Sequence, residues 1–164
     1  MLFLHHCCFN SIKMSQSLSK LYVHATFHIK RNGVSLRKQD FEPLYAYIGQ
    51  VLKSMDCHPI EIGGVENHIH VLSTISKNIS LAKMMEEIKR HSSRWLKALD
   101  PYYKDFGWQG GYGGFSVSQS VVERTANYIR NQEQHHRKMS FREEYLRFLD
   151  EYGIEYNAAY LFVD

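Results

Sequence analysis

The period of the hydrophobic pattern switches along this chain between two and about 3.6 residues, and the order of the switches limits the folds open to it. Lys20 to Lys30 (KLYVHATFHIK) alternates, is rich in β-branched and aromatic residues, and reads as a strand ending at the turn pair Asn32-Gly33. Leu44, Tyr47, Ile48, Val51, Leu52 and Met55 then recur at helical spacing, with Asp40 placed to cap the helix and Pro43 in its first turn. Cys57 to Val65 and Asn67 to Ile75 read as two strands joined by a tight connection. Ser80 opens a second helix whose buried stripe is Leu81, Met84, Met85, Ile88, Trp95, Leu96 and Leu99, until Pro101 stops it. The run FSVS, just before Gln119, supplies a last strand. The order βαββαβ predicts an α+β, ferredoxin-like split βαβ, an antiparallel sheet with both helices on one face. The other face of the sheet is left to be exposed, to hold a site, or to meet a second copy.

Two further helices follow. Ser120 with Glu123 forms a capping-box pattern for a third helix running through Tyr128 to about His136, with few apolar positions. SFREEYLRFLDEYG forms a fourth, with Ser140 as N-cap, Glu143 as its partner and Gly153 as the C-terminal stop. A length of 164 residues suits one domain, here residues 14–164. The longest apolar run falls far short of the ~20 residues that cross a bilayer. The three cysteines, Cys7, Cys8 and Cys57, show no CxxC spacing, so neither a disulfide framework nor a structural zinc site is readable, which suits a reducing cytoplasm. The opening MLFLHHCCFN lacks the basic segment of a secretory signal; residues 1–13 read as a disordered tail or an artefact of the start codon, with Met14 as the true start.

In ENHIHVL, His68 and His70 stand two apart on a strand, so they share one face while Ile69 and Val71 point to the core. Two ligands on one ion or two hydrogen-bonded structural histidines both fit that geometry. Leu72 occupies the place of a third alternating histidine, which argues against a histidine-triad hydrolase. Tyr128 and Gln132 are four apart, so a phenol and an amide oxygen share one helical face. Lys83, Arg90, Arg94 and Lys97 line the polar face of the second helix, a solvated surface or a row of phosphate contacts. Gly110, Gly111, Gly113 and Gly114 mark a tight turn or a joint. His24 and His28 are expected to be structural, and Trp95 to lie in the core. The net charge of +3 permits nucleic-acid binding without arguing for it.

Taken together, the HxH of ENHIHVL, the run WQGGYGGFSVS, and YIRNQEQHH followed by SFREEYLRFLDEYGIEYNAAYLF resemble the single-tyrosine HUH transposases of single-strand insertion sequences, relatives of the REP-associated tyrosine transposases. The resemblance spans about Ser15 to Leu161. It implies that His68, His70 and Gln132 bind a divalent ion, Mg²⁺ or Mn²⁺, and that Tyr128 attacks single-stranded DNA to form a 5′-phosphotyrosine link. It further implies hairpin-ended DNA as partner, contacted by Lys83, Arg90, Arg94 and Lys97. It also implies a homodimer, with the glycine segment as a joint that lets the tyrosine helix complete the partner's site in trans. His135 and His136 match the resemblance and are expected to be satisfied polar residues near the metal. The alternative is a domesticated or inactive relative that binds folded DNA or RNA without cutting it.

Overall fold

The computed structural model describes residues 17–162, so the expected tail at 1–13 lies outside the described residues. Strand β1 (Leu21–His28) is followed by α1 (Phe41–Ser54), β2 (Pro59–Val65), β3 (His68–Ile75), α2 (Leu81–Leu99) and β4 (Gly113–Val117). The sheet order is β2-β3-β1-β4 with every neighbouring pair antiparallel, which is the split βαβ topology the hydrophobic periods predict.

Alternation along the two central strands divides the molecule. Ala25, Phe27, Ile69 and Val71 point to one face and pack under Leu44, Ile48, Val51 and Leu52 of α1 and Met84, Met85, Ile88 and Leu96 of α2. Phe27 and Phe106 meet the Trp108 ring edge-on at 4.7 and 4.8 Å, and the Trp108 indole N–H donates to Ser92 Oγ at 2.9 Å. Trp95 is only partly buried and stacks on Tyr47, tying α2 to α1, while Leu99 at the end of the stripe is exposed.

The other face carries His24, His68, His70 and Leu72, and it is neither exposed nor left for a second copy. Helices α3 (Val122–Arg130), α4 (Gln132–His135) and α5 (Phe141–Glu151) of the same chain surround it. Ile129 of α3 seats on Gly63 of β2, where an added Cβ would lie 2.8 Å from the Ile129 carbonyl oxygen. Glycine is thus needed there for a helix to lie directly on the strand.

Local signals held unevenly in this half. Ser140 and Glu143 form the expected capping box at α5, and Gly153 takes a left-handed φ of 62° past its end. Ser120 does not cap α3. The extended backbone that a cap requires falls at Ser118, and Gln119–Val121 are already wound into a 3₁₀ turn. The helix expected to run unbroken to His136 is interrupted at Asn131, whose side-chain amide donates back to the Asn127 carbonyl at 2.7 Å. Asp40, expected as the cap of α1, makes no cap bond; its carboxylate accepts instead from Arg37 Nε and the Tyr103 hydroxyl.

Candidate metal centre and nucleophile

His68 and His70 stand side by side on β3, fully buried, with ring centroids 5.0 Å apart. Their Nδ1 atoms are engaged behind the site, His68 with Asn67 Oδ1 at 2.7 Å and His70 with His24 Nε2 at 2.9 Å. His68 donates Nδ1–H to the Asn67 oxygen, and in the tautomer in which His70 donates Nδ1–H to His24 Nε2 both Nε2 lone pairs face inward, the arrangement in which an imidazole ligates a metal. His24, expected to be structural, therefore orients His70. Burial holds His68 well below its ordinary pKa and lowers His70 to about 3, so both rings are neutral at physiological pH.

Helices α4 and α5 close the cluster from above. His136, just past α4, directs Nδ1–H to the Met139 carbonyl at 2.8 Å. Glu144 of α5 is 2 % exposed, and its Oε2 lies 3.7, 3.3 and 3.4 Å from the Nε2 atoms of His68, His70 and His136. One ligand atom from each of these four residues falls within 4.8 Å of the others. Burial pushes the Glu144 carboxyl up to about 8, so in the absence of a cation these contacts are between neutral groups rather than ion pairs. The buried polar atoms without a hydrogen-bond partner include His70 Nε2, His136 Nε2 and Glu144 Oε2, which converge on one point. Once Glu144 is ionised, these atoms present three convergent lone pairs, which fit a divalent cation.

The expected tyrosine and glutamine reach this cluster within one chain. Gln132 is buried, with Oε1 3.3 Å from His68 Nε2 and its amide nitrogen donating to Glu144 Oε1 at 3.2 Å. The Tyr128 hydroxyl donates to Glu144 Oε1 and lies 3.5 Å from His135 Nε2. Its ring meets the edge of His70 at 5.9 Å. A cleft of about 510 Å³ between α3 and α5 opens onto Tyr128, with Arg124 and Arg147 among its lining residues.

Residues 17–132 match the family described as Transposase IS200 like, a stretch that holds His68, His70, Tyr128 and Gln132. The chain belongs to the IS200-like transposase family. No curated protein matches it. Among solved structures, the transposase is similar to a candidate transposase from Deinococcus radiodurans R1, with a TM-score of 0.56 and 17% identity over 73% of this chain and 96% of that one. It is also similar to a REP-associated tyrosine transposase bound to a REP hairpin, with a TM-score of 0.54 and 15% identity over 75% of this chain and 74% of that one. Likeness at these identities establishes the shared fold.

Other expected site residues of the transposase sit elsewhere. Lys83, Arg90, Arg94 and Lys97 are exposed on α2, across the sheet from the cluster. Lys83 pairs with Glu86 and Glu87 at 3.0 and 2.8 Å, and Arg90 with Glu87, so half of that row is already answered by carboxylates. Arg94 and Lys97 join Lys30 and Lys89 along a groove of about 580 Å³. The four-glycine joint needs correction. Gly113 and Gly114 lie inside β4, paired with Thr26 and Ala25, where an added Cβ would come within 2.7 Å of Tyr145 and Leu81 side chains. Gly110 and Gly111 are in the loop, but the half-buried Lys89 ammonium donates to the carbonyls of Gln109, Gly110 and Gly111, which pins that loop to α2. Within this single chain α3 rests on β2, so Tyr128 and the strand histidines meet inside one protomer.

The capping pattern of α5 points to Glu143 and not to its neighbour Glu144. Its signal was present: Phe141, Tyr145, Phe148 and Leu149 form the inward stripe of α5, and Glu144 sits in the middle of it. An acid at a core position of an amphipathic helix demands a partner. Among the described residues no helix is long and apolar enough to cross a membrane.

Proposed function

We propose that this transposase cleaves and rejoins single-stranded DNA carrying hairpin ends, with Tyr128 as nucleophile and a divalent ion, Mg²⁺ or Mn²⁺, at His68, His70 and Gln132. The observation that supports it most is that the Tyr128 hydroxyl opens on the same buried cluster as the two strand histidines. The ion supplies a Lewis acid toward the oxygens of the scissile phosphate. His68 Nε2, His70 Nε2 and Gln132 Oε1 hold lone pairs toward its position. A phenol ordinarily titrates near ~10, so Tyr128 needs a proton acceptor at neutral pH; Glu144, whose Oε1 already accepts its hydrogen bond, would fill that role once a bound cation ionises its carboxyl.

Tyr128 Oη forms a bond to phosphorus as the bond from phosphorus to O3′ breaks, leaving a 3′-OH and a 5′-phosphotyrosine. A 3′-OH attacking the same phosphorus reverses the exchange, so rejoining consumes no nucleoside triphosphate. Arg124 and Arg147 at the cleft suit the phosphates next to the break. Lys83, Arg90, Arg94 and Lys97, on the far side, suit the stem of a hairpin rather than the phosphate that is cut. A similar fold bound to a REP hairpin supports that choice of partner.

The test is incubation with hairpin-bearing single-stranded DNA and Mn²⁺, followed by a denaturing gel. Wild type gives a covalent adduct; Tyr128→Phe binds the DNA and gives none. An adduct that survives in Tyr128→Phe refutes the nucleophile. Binding without any adduct from wild type favours the non-cleaving relative instead. Mixing Tyr128→Phe with His68→Ala restores nothing if cleavage occurs within one protomer, and restores the adduct if a homodimer completes its sites in trans.

A further inference from the structure

Gln132 is the last residue of the stretch shared with the family, and beyond it a half-buried His136 and a buried Glu144 face the same point as the strand histidines. We infer that His136 and Glu144 are ligands of the ion together with His68 and His70, a centre of three imidazoles and one carboxylate that takes a transition-metal dication in preference to Mg²⁺. The inference rests on the proposed metal centre and specifies its ligands.

His136 carries the argument first. A carbonyl oxygen can only accept, so the 2.8 Å contact with the Met139 carbonyl places the proton of the neutral ring on Nδ1. Nε2 is then a bare lone pair, buried and without a hydrogen-bond partner, 3.4 Å from Glu144 Oε2. The two oxygens of Glu144 divide their roles. Oε1 accepts from the Tyr128 hydroxyl and from the Gln132 amide, whereas Oε2 has no donor and lies within 3.7 Å of all three Nε2 atoms. One carboxylate thus faces the ion with one oxygen and the nucleophile with the other, so the ligand and the group that orients Tyr128 are the same residue.

The donor set decides the metal class. Mg²⁺ favours oxygen ligands and retained waters, while three imidazoles with one carboxylate suit the first-row transition dications. Gln132 Oε1, 3.3 Å from His68 Nε2, remains at the edge of the centre as a further oxygen donor. Both added ligands come from the α4–α5 half of the chain, so the ion would bridge that half to β3.

Calorimetric titration of metal-free protein with Mn²⁺ and with Mg²⁺ tests this, alongside Glu144→Gln, His136→Ala and His68→Ala. Wild type binds Mn²⁺ more tightly than Mg²⁺. Each substitution weakens Mn²⁺ by at least the roughly 10–100-fold that loss of an outer hydrogen-bond partner costs a metal site. Pulsed electron paramagnetic resonance of the wild-type Mn²⁺ complex, which needs no variant to fold, shows three coordinated imidazole nitrogens. Two nitrogens, equal affinity for Mg²⁺ and Mn²⁺, or unchanged Mn²⁺ affinity in Glu144→Gln and His136→Ala overturns the inference. If His68→Ala also binds Mn²⁺ as wild type does, it is the metal centre on β3 that fails, and with it the proposed chemistry.

Discussion

Replacing Gly63 by alanine should loosen the helix that carries Tyr128 and, on the proposed chemistry, lower both stability and cleavage. Gly63 pairs with His70, so an added Cβ would point to the same face as the His70 side chain, straight at α3. It would lie 2.8 Å from the Ile129 carbonyl oxygen and 3.0 Å from Ile129 Cγ2. Ordinary contact begins near 3.4 Å, so the helix must lift by about 0.6 Å, the difference between 3.4 and 2.8 Å. Overpacking of this kind costs about 1–3 kcal/mol. At about 2–4 °C per kcal/mol for a chain of this size, Tm falls by roughly 2–12 °C. Tyr128 precedes Ile129 directly and Gln132 follows three residues on, so the lift also displaces both from His68 and His70. A misplacement of ~1 Å can cost on the order of 100-fold in rate, which sets about tenfold as the scale for adduct formation here. The control is Gly49→Ala at the middle of α1, where an added Cβ meets Pro59 and Ile62 side chains at an ordinary 3.8 and 3.9 Å. Relief of a mid-helix glycine there should raise stability by ~1 kcal/mol. Circular dichroism melts and adduct yield on the two variants read both effects. A Gly63→Ala protein that melts and cleaves like wild type would refute the seating of α3 on β2, and with it a site built within one chain.

Two other perturbations follow from the same site. In metal-free protein the folded carboxyl of Glu144 keeps its proton up to about pH 8 against an ordinary 4.5, so its contribution is full below 4.5 and is lost as pH rises toward 8. His70, lowered from 6.5 to about 3, contributes above 6.5 and loses that as pH falls. These two slopes cancel between pH 4.5 and 6.5, but His24 and His68, also held well below 6.5 by burial, add to the rise, so metal-free Tm should peak near pH 6.5 and decline toward pH 8 by the equivalent of about 2 kcal/mol. Glu144→Gln should abolish the alkaline decline, and a flat wild-type profile from pH 6.5 to 8 would contradict a buried carboxyl. Ser140→Ala removes one half of the capping box that starts α5 and should cost about 1 kcal/mol, read as faster hydrogen exchange in the first turn of α5 before any change in the sheet.

The parts of the fold legible in the sequence are those where packing and periodicity agree. β1 and β3 alternate because one of their faces meets α1 and α2, and the apolar stripes of those helices read cleanly for the same reason. The C-terminal half did not read as cleanly because it packs on polar groups. A helix that covers histidines has few apolar positions to announce it, and it can carry an acid inward, as α5 does at Glu144. Local rules also misled where tertiary structure set the backbone. Ser120 has the capping pattern but sits in a 3₁₀ turn, and Gly113 and Gly114 resemble a joint but are small so that Tyr145 and Leu81 can approach β4. Gly63 told the most and was passed over, since a glycine inside a strand marks a close approach of backbone.

The same contrast between the faces explains why a site forms where it does. The α1–α2 face is held by a continuous apolar core, whereas α3 reaches the sheet through a small cluster of Leu72, Ala126 and Ile129. Beside that cluster, His70 Nε2, His136 Nε2 and Glu144 Oε2 are buried without hydrogen-bond partners, at roughly 1–3 kcal/mol each. Such groups destabilise the closure of α4 and α5 over the sheet until a cation answers them together. Binding an ion would then reward the closed arrangement, in which Tyr128 and Gln132 face His68 and His70, far more than an open one. The stiff half of the molecule fixes the two histidines on β3. On the proposed chemistry, the half that carries Tyr128 would be the one whose stability depends on the metal, and ion binding and assembly of the proposed cleavage site would be a single event.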